Sequence, residues 1–276
     1  MTDLETVVLV HGTTEATLAP GRGGILTRLS VGGRAVLYLD EATLADPTKN
    51  VRGGNPVLFP SPGPLAGDRF TRDGRSGAMK QHGLARQRPW EVAARTASSV
   101  TLTLVGSAST AAEFPWSFAL SFHYEVGDGR VRITERIENR DTAPMPYALG
   151  FHPYFHVPVE AKANVRIPTS ATRAWDNVGK REVAVSGPIR IGEGEIDLHL
   201  VDHGRAEADL ELGDGKVVRV SGSEAFGRWV IWSLPGKAFV CLEPWTAPAD
   251  ALGTGEGLRV VAPGRSEELW TEIALV

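Results

Sequence analysis

Residues 118–133 read FALSFHYEVGDGRVRI. Phe118, Leu120, Phe122, Tyr124 and Val126 alternate with small or polar residues, the two-residue period of a strand with one buried face. Gly127-Asp128-Gly129 then turns the chain into Val131, Ile133 and Ile137. The pattern predicts a long antiparallel hairpin.

The same alternation recurs on both sides of this hairpin. Thr6 to Val10, Gly24 to Leu29 and Ala35 to Leu39 are expected strands, with Val31-Gly32-Gly33-Arg34 as a hairpin connection. Val100 to Leu104, Val217 to Val220, Trp229 to Ser233, Ala238 to Leu242, Leu258 to Val261 and Leu269 to Leu275 continue the series. The 31 glycines and 18 prolines lie between these runs as punctuation and do not gather into a linker. Only Glu41 to Ala45 suits a helical turn. The fold class is therefore all-β: about fifteen to twenty short strands in a large antiparallel sandwich. No internal repeat is visible, and residues 1–276 are expected to form a single domain.

Hydrophobic residues at 42% and charged residues at 22% describe an ordinary globular protein. A formal net charge of −4, without a dense basic run, argues against a nucleic-acid or anionic-membrane partner. Cys241 is the one cysteine, which excludes an intramolecular disulfide and fits a reducing compartment. The opening MTDLETVVLVHG suits neither a signal peptide nor a spanning helix, so a cytoplasmic location is expected.

Against this regular background, Tyr147 to Phe155 stands out. Tyr147, Leu149 and Phe151 alternate with Ala148, Gly150 and His152, so His152 shares a strand face with two nearly bare positions. That face offers a hollow beside an imidazole where a small molecule could lie, and Pro153 then ends the ladder or confines it to an edge. The segment from Val51 to Trp90 breaks the strand rhythm, with a Gly/Pro-rich loop from Ser61 to Gly77 ending near His82 and Arg86. Loops of this length in compact domains usually carry function or move.

The chain has seven histidines, and His152/His156 and His199/His203 are spaced i, i+4. On an extended strand such residues lie about 13 Å apart, too far to share one ion. No metal is expected; a dispersed set of His82, His152 and Glu243 is the metal-dependent alternative. Glu243 follows Phe239-Val240-Cys241-Leu242 and shares its face with Cys241. Burial there would raise its pKa toward that of a useful general base. Trp245, beside it, supplies the aromatic surface that a sugar site needs. Trp90, Trp229, Trp232 and Trp270 are expected in the core. Asp197 and Asp202 are competing acids, with Asp202 the more ordinary turn residue. Arg52 and Arg86 suit anion or polyol oxygens, and Gly53-Gly54 after Arg52 would let backbone approach a ligand closely.

Taken together, RGGNPVLFPSPGPL from Arg52, HGLARQRPW from His82, GFHPYF from Gly150 and VCLEPWTAPADAL from Val240 resemble the aldose 1-epimerase (galactose mutarotase-like) family. A closing Ala262-Pro263-Gly264-Arg265 before a final strand resembles it too, and the likeness runs from about Gly21 to the end. The resemblance implies a β-supersandwich and a cofactor-independent mutarotase acting on a small sugar. By position, Glu243 would be the general base, His152 the general acid and His82 a second active-site histidine. Asp197 would bind a substrate hydroxyl, with Asp202 competing, and Arg52, Arg86 and Trp245 would hold substrate. The family's hexose-6-phosphate branch places arginines at these motifs, so a sugar phosphate is the alternative substrate; a non-catalytic carbohydrate-binding protein is a further one. A monomer or a homodimer is expected. Anomer exchange needs a base for the C1 hydroxyl and an acid for the ring oxygen. That chemistry calls for Glu243 ionised and His152 protonated near neutral pH, and for a bell-shaped rate profile.

Overall fold

The computed structural model describes residues 4–276. The hairpin of residues 118–133 is present: Phe118–Gly127 pairs antiparallel with Arg130–Asn139 through ten residue pairs. It lies within a nine-stranded sheet between Ser99–Val105 and the closing strand Ser266–Leu275. An eight-stranded sheet faces it, formed chiefly by Arg173–Asp176, Ile196–Leu200, Arg228–Ser233, Phe239–Trp245 and the broken run from Gly150 to His156. The first strands, Val7–His11, Thr14–Ala19, Ile25–Val31 and Arg34–Ala35, form a third, four-stranded sheet. The architecture is an antiparallel β-sandwich, as the alternation requires. The only α-helices among the described residues are Glu41–Ala45 and Ala251–Thr254, so no helix is long and apolar enough to cross a membrane.

The two large sheets bury one continuous core. Phe122 of the nine-stranded sheet packs against Phe151 of the other, with ring centroids 6.2 Å apart. Tyr147, Leu149 and Phe151 enter this core together with Val240, Leu242 and Ile231. Alternation then turns Cys241, Glu243 and Trp245, with Val230 and Trp232, onto the sheet's opposite face. Inward apolar packing on one face thus dictates which side chains stand on the other.

Three details differ from the sequence reading. The described residues form 25 strand segments, more than expected, because prolines and bulges cut long runs into two- and three-residue pieces. Tyr147 to His152 is one of these: Met145–Tyr147 pairs with Arg259–Val261, Gly150–Phe151 with Val57–Leu58, and Tyr154–His156 with Phe239–Cys241. Pro153 interrupts the ladder without ending it. The Ser61–Gly77 loop also contains regular structure, since Arg69–Arg72 pairs with Arg75–Ala78.

The core contains one acid. Glu135 occupies an inward position between Ile133 and Ile137, fully buried, with Thr271 Oγ1 donating to Oε1 at 2.6 Å. Its Oε2 has no partner among the described residues. Burial outweighs the Thr271 hydrogen bond and pushes its pKa up to about 8. Below the ordinary carboxylate pKa both folded and unfolded forms hold the proton, so the group is neutral to stability. As pH rises toward 8 only the unfolded chain ionises, and folding loses about 1.4 kcal/mol per pH unit. Thermal unfolding of Glu135→Gln and the parent from pH 5 to 8 should show the parent losing ground steadily against the variant. Parallel pH curves would contradict this account.

Candidate active site

Two cross-strand rows of the eight-stranded sheet make the floor of the site. In one, Trp175, His199, Val230 and Glu243 stand side by side on successive strands. In the next, Asp197, Trp232, Cys241 and Tyr154 do the same. Residues i and i+2 of a strand share a face, so five strands deliver both rows to one surface. Loops supply the walls of a cavity of about 400 Å³, with Arg52, Pro64, His82 and Arg86 above the floor.

His152 and Glu243 meet at the bottom, His152 Nε2 lying 3.3 Å from Glu243 Oε1. Both are buried, at 8% and 1% exposure. The imidazole stacks on the Tyr154 ring at 4.7 Å and meets Trp232 edge-on. Its Nδ1 has no partner among the described residues. Trp245 Nε1 donates to Glu243 Oε2 at 3.1 Å, which orients the carboxyl group.

Burial decides the charge state of this pair. It raises Glu243 well above the usual carboxylate range, helped by the negative charge of Asp197 and opposed by the Trp245 hydrogen bond. It lowers His152 well below the usual imidazole range, helped by His82, Arg86 and Arg52. The pair therefore holds its shared proton on the carboxyl group beside a neutral imidazole. This corrects the expectation of ionised Glu243 and protonated His152. Charge separation in a dry cavity is costly, and the sequence shows the two residue types without the dryness.

His82 is also neutral. Burial, and then Arg86, push its pKa down to about 3. Its Nδ1 meets the Pro62 carbonyl, an acceptor only, so Nδ1 carries the hydrogen and Nε2 presents a lone pair. The backbone holds His82 at φ 75°, a left-handed conformation that costs an ordinary residue about 1–2 kcal/mol. Its neighbour Gly83 makes this possible: a Cβ there would lie 2.2 Å from the Phe59 carbonyl oxygen.

Arg52 and Arg86 both line the cavity, and neither forms a salt bridge among the described residues. Arg52 Cζ lies 5.6 Å from the Trp232 ring centroid. Arg86 Nη2 donates to the Gln81 carbonyl at 3.2 Å, while its buried Nε has no partner. Gly53 and Gly54 do not bring backbone to the ligand as expected. They pass against their own chain, where added Cβ atoms would meet Leu39 Cα at 2.5 Å and the Leu26 carbonyl at 2.5 Å.

Asp197, and not Asp202, reaches the cavity. His199 Nε2 lies 3.1 Å from Oδ1 and Asn177 Nδ2 donates to Oδ2 at 2.6 Å. Burial pushes Asp197 up, but these two hydrogen bonds outweigh it and keep the carboxyl ionised below its ordinary pKa. Asp202 caps a turn through Thr172 and Arg173.

Trp232 is a second correction: it lines the cavity, whereas Trp90 and Trp229 are in the core as expected. Trp232 lies four residues after Arg228, the pairing partner of Trp245, and shares its outward face, which was readable only once the strand register was known. Tyr154, Trp175, Asn177 and His199 were not singled out from sequence and also line the cavity. Their signal was period-two alternation with Trp232 and Asp197, usable only across strands. The hollow beside His152 has another occupant. A Cβ on Gly150 would lie 2.8 Å from Trp245 Cδ1 and 3.0 Å from Pro62 Cβ, so Gly150 accommodates the indole. Ala148 packs with Ala247 and Ala251. At 2% exposure, Trp245 serves the carboxyl group more than it offers a stacking surface. The sets of metal-ligating atoms also differ from the dispersed one considered above: a His152 nitrogen, Cys241 Sγ and a Glu243 oxygen lie within 4.8 Å of one another, without His82.

The sequence model of the aldose 1-epimerase family matches residues 5–274. The chain belongs to the aldose 1-epimerase family. It is therefore an isomerase, an epimerase whose ligand is a small sugar. A protein of Cenchrus ciliaris, provisionally named glucose-6-phosphate 1-epimerase, is 27% identical over 239 residues, covering 77% of this chain and 69% of its own length. A protein of Escherichia coli K12 with the same provisional name is 30% identical over 170 residues, 59% of this chain and 52% of its own length. The chain thus spans about half of that second relative. The solved structure of Slr1438 from Synechocystis sp. PCC 6803 superposes with a TM-score of 0.94 at 34% identity, covering 98% of this chain and 95% of that one. A galactose mutarotase-like protein from Lactobacillus casei superposes with a TM-score of 0.82 at 23% identity over 99% of this chain and all of its own, which shows the common fold.

The Gly150 contact is testable in this epimerase. Gly150→Ala should displace the Trp245 indole, costing about 1–3 kcal/mol of stability by overpacking. It should also lower kcat more than it raises KM, because the indole N–H orients Glu243. Parent-like unfolding and kinetics in the variant would show that the indole has room to spare.

Proposed function

We propose that this epimerase interconverts the α and β anomers of a hexose 6-phosphate. The observation that carries the reading is the pair of guanidinium groups, Arg52 and Arg86, converging on one cavity without a carboxylate partner. A desolvated guanidinium is costly without an anion, and its planar fork matches phosphate oxygens. The provisional names of the relatives from Cenchrus ciliaris and Escherichia coli K12 agree with that substrate. A free hexose is the competing substrate, since Asp197, His82 Nε2 and Trp232 suit sugar hydroxyls and ring faces without any phosphate.

The reaction follows from the proton shared at the cavity floor. Transfer of that proton from Glu243 to His152 Nε2 gives a carboxylate and an imidazolium. The carboxylate removes the C1 hydroxyl proton while the imidazolium protonates the ring oxygen, and the C1–O5 bond opens to the aldehyde. Rotation about C1–C2 presents the other carbonyl face. The neutral pair now runs the step backwards: the Glu243 carboxyl protonates the carbonyl oxygen and His152 takes the proton from the C5 hydroxyl. One proton serves both halves. His82, neutral across the physiological range, accepts a hydrogen bond from a sugar hydroxyl and does not act as an acid.

The pH dependence follows from the same count. The pair holds one proton between the lowered pKa of His152 and the raised pKa of Glu243. These are macroscopic values of the pair. Activity should fall on the acid side as a second proton arrives, and on the alkaline side as the last one leaves. The acid limb should lie below the ordinary imidazole range and the alkaline limb above the ordinary carboxylate range. An acid limb at the ordinary imidazole position, or an alkaline limb at the ordinary carboxylate position, would count against the assignment.

The substrate is settled by anomer-exchange NMR on glucose and glucose 6-phosphate, with the uncatalysed rate subtracted. The phosphorylated sugar should give the higher kcat/KM. Glu243→Gln should lose about 10²–10⁴-fold in kcat. Equal turnover by parent and Glu243→Gln would sink the mechanism, and a preference for free glucose would replace the substrate.

A further inference from the structure

Three charged side chains stand in a fixed arrangement around the His152–Glu243 pair. Arg52 and Arg86 act on the imidazole and both disfavour its protonation. Asp197 acts on the carboxyl group and disfavours its ionisation. All three side chains line the one cavity that holds the pair. The ring-opening tautomer, imidazolium beside carboxylate, would put like charge next to like at both ends. All three charges oppose it.

The structure locates the means of reversal. Arg52 Cζ lies 5.6 Å from the ring centroid of Trp232, which meets the His152 imidazole edge-on. Arg86 presents an unpartnered, buried Nε in the same cavity. Both guanidiniums face ligand space, so a dianion bound there would cancel the two charges that hold His152 neutral. Asp197 differs, because Asn177 and His199 already occupy its two oxygens.

Resting on the hexose 6-phosphate reading above, we infer that the substrate's phosphate is an activator of the chemical step as well as a binding handle: by neutralising Arg52 and Arg86 it lets His152 take the proton from Glu243. The transfer is internal. The O–H bond of the Glu243 carboxyl breaks, the N–H bond of His152 Nε2 forms across the 3.3 Å contact, and no proton enters from solvent. A free hexose in the same cavity leaves both cations uncancelled and meets an uncharged acid. A phosphate used only as a handle would bind ground state and transition state alike and lower KM without raising kcat.

The test separates kcat from KM. Anomer exchange is measured by NMR for glucose, for glucose with inorganic phosphate and for glucose 6-phosphate, each after subtraction of the enzyme-free rate. A like-charge neighbour shifts a pKa by about a unit or more, so kcat for glucose 6-phosphate should exceed kcat for glucose at least about tenfold. Inorganic phosphate should raise kcat on glucose. Arg86→Ala, with Arg86→Gln as the variant that keeps the side chain's bulk, should raise KM for glucose 6-phosphate, raise kcat on glucose and abolish activation by phosphate. Equal kcat on the two sugars, or inorganic phosphate acting purely as an inhibitor, would overturn the inference while leaving the epimerase reading intact. A second readout needs no turnover: adding inorganic phosphate should move the His152 ring-nitrogen NMR shifts toward the protonated form. Bound phosphate with unmoved His152 shifts would overturn the inference. Moved shifts without epimerisation of either sugar would instead overturn the functional reading.

Discussion

The 3.3 Å contact between His152 Nε2 and Glu243 Oε1, kept away from water, is the constraint that the rest of the site serves. In water a glutamate and a histidine hold their proton as an ion pair over a narrow range of pH. In the dry cavity the same proton moves to the carboxyl group, and the charged arrangement becomes the higher state. Mutarotation requires both arrangements in turn. A site that stabilised either one strongly would speed one half of the cycle at the expense of the other. Burial on one side and the movable charge of a ligand on the other keep the two states close.

The sheet gives this contact its precision. Glu243 and Trp245 sit two residues apart on Phe239–Trp245, so their shared face lets the indole N–H reach the carboxyl group. Gly150, Pro62 and Gly63 confine the indole, and the Phe122–Phe151 packing beneath fixes the strand that carries Gly150 and His152. The cationic groups do not stand on strands. Arg52 is tied through its backbone N–H to Thr43 Oγ1, in a helix whose carbonyl end is clamped by Arg22. Glu243 stands on a strand and His152 at a strand break, while the guanidiniums come from outside the sheets, Arg52 from a loop and Arg86 from the 3-10 helix Ala85–Gln87.

The alternation in residues 118–133 was sufficient for the fold class, because period two with a Gly-Asp-Gly turn admits little else. Glu243, His152, His82, Arg52, Arg86 and Asp197 were legible as residues of a resembled family, and the structure brings all of them to one cavity. Their charge states were not legible, since desolvation depends on what covers a residue in three dimensions. Gly150 and Gly53-Gly54 were read as making room for ligand because a bare position looks the same from sequence whether sugar, an indole or the chain's own backbone fills it. Tyr154, His199 and Trp232 were missed or assigned to the core because their common face exists only across strands far apart in sequence.

Glu135 shows how differently the fold can treat two buried glutamates. Both are pushed up by desolvation. Glu135 lies between the sheets with one hydroxyl donor, out of reach of any ligand, so its raised pKa acts only on stability. Glu243 sits on the opposite sheet face, with an imidazole at hydrogen-bonding distance and a cavity above it. A proton on Glu135 has no partner to move to, whereas a proton on Glu243 has His152. A shifted pKa becomes chemistry only where geometry provides the second proton site and space for a substrate between charge states.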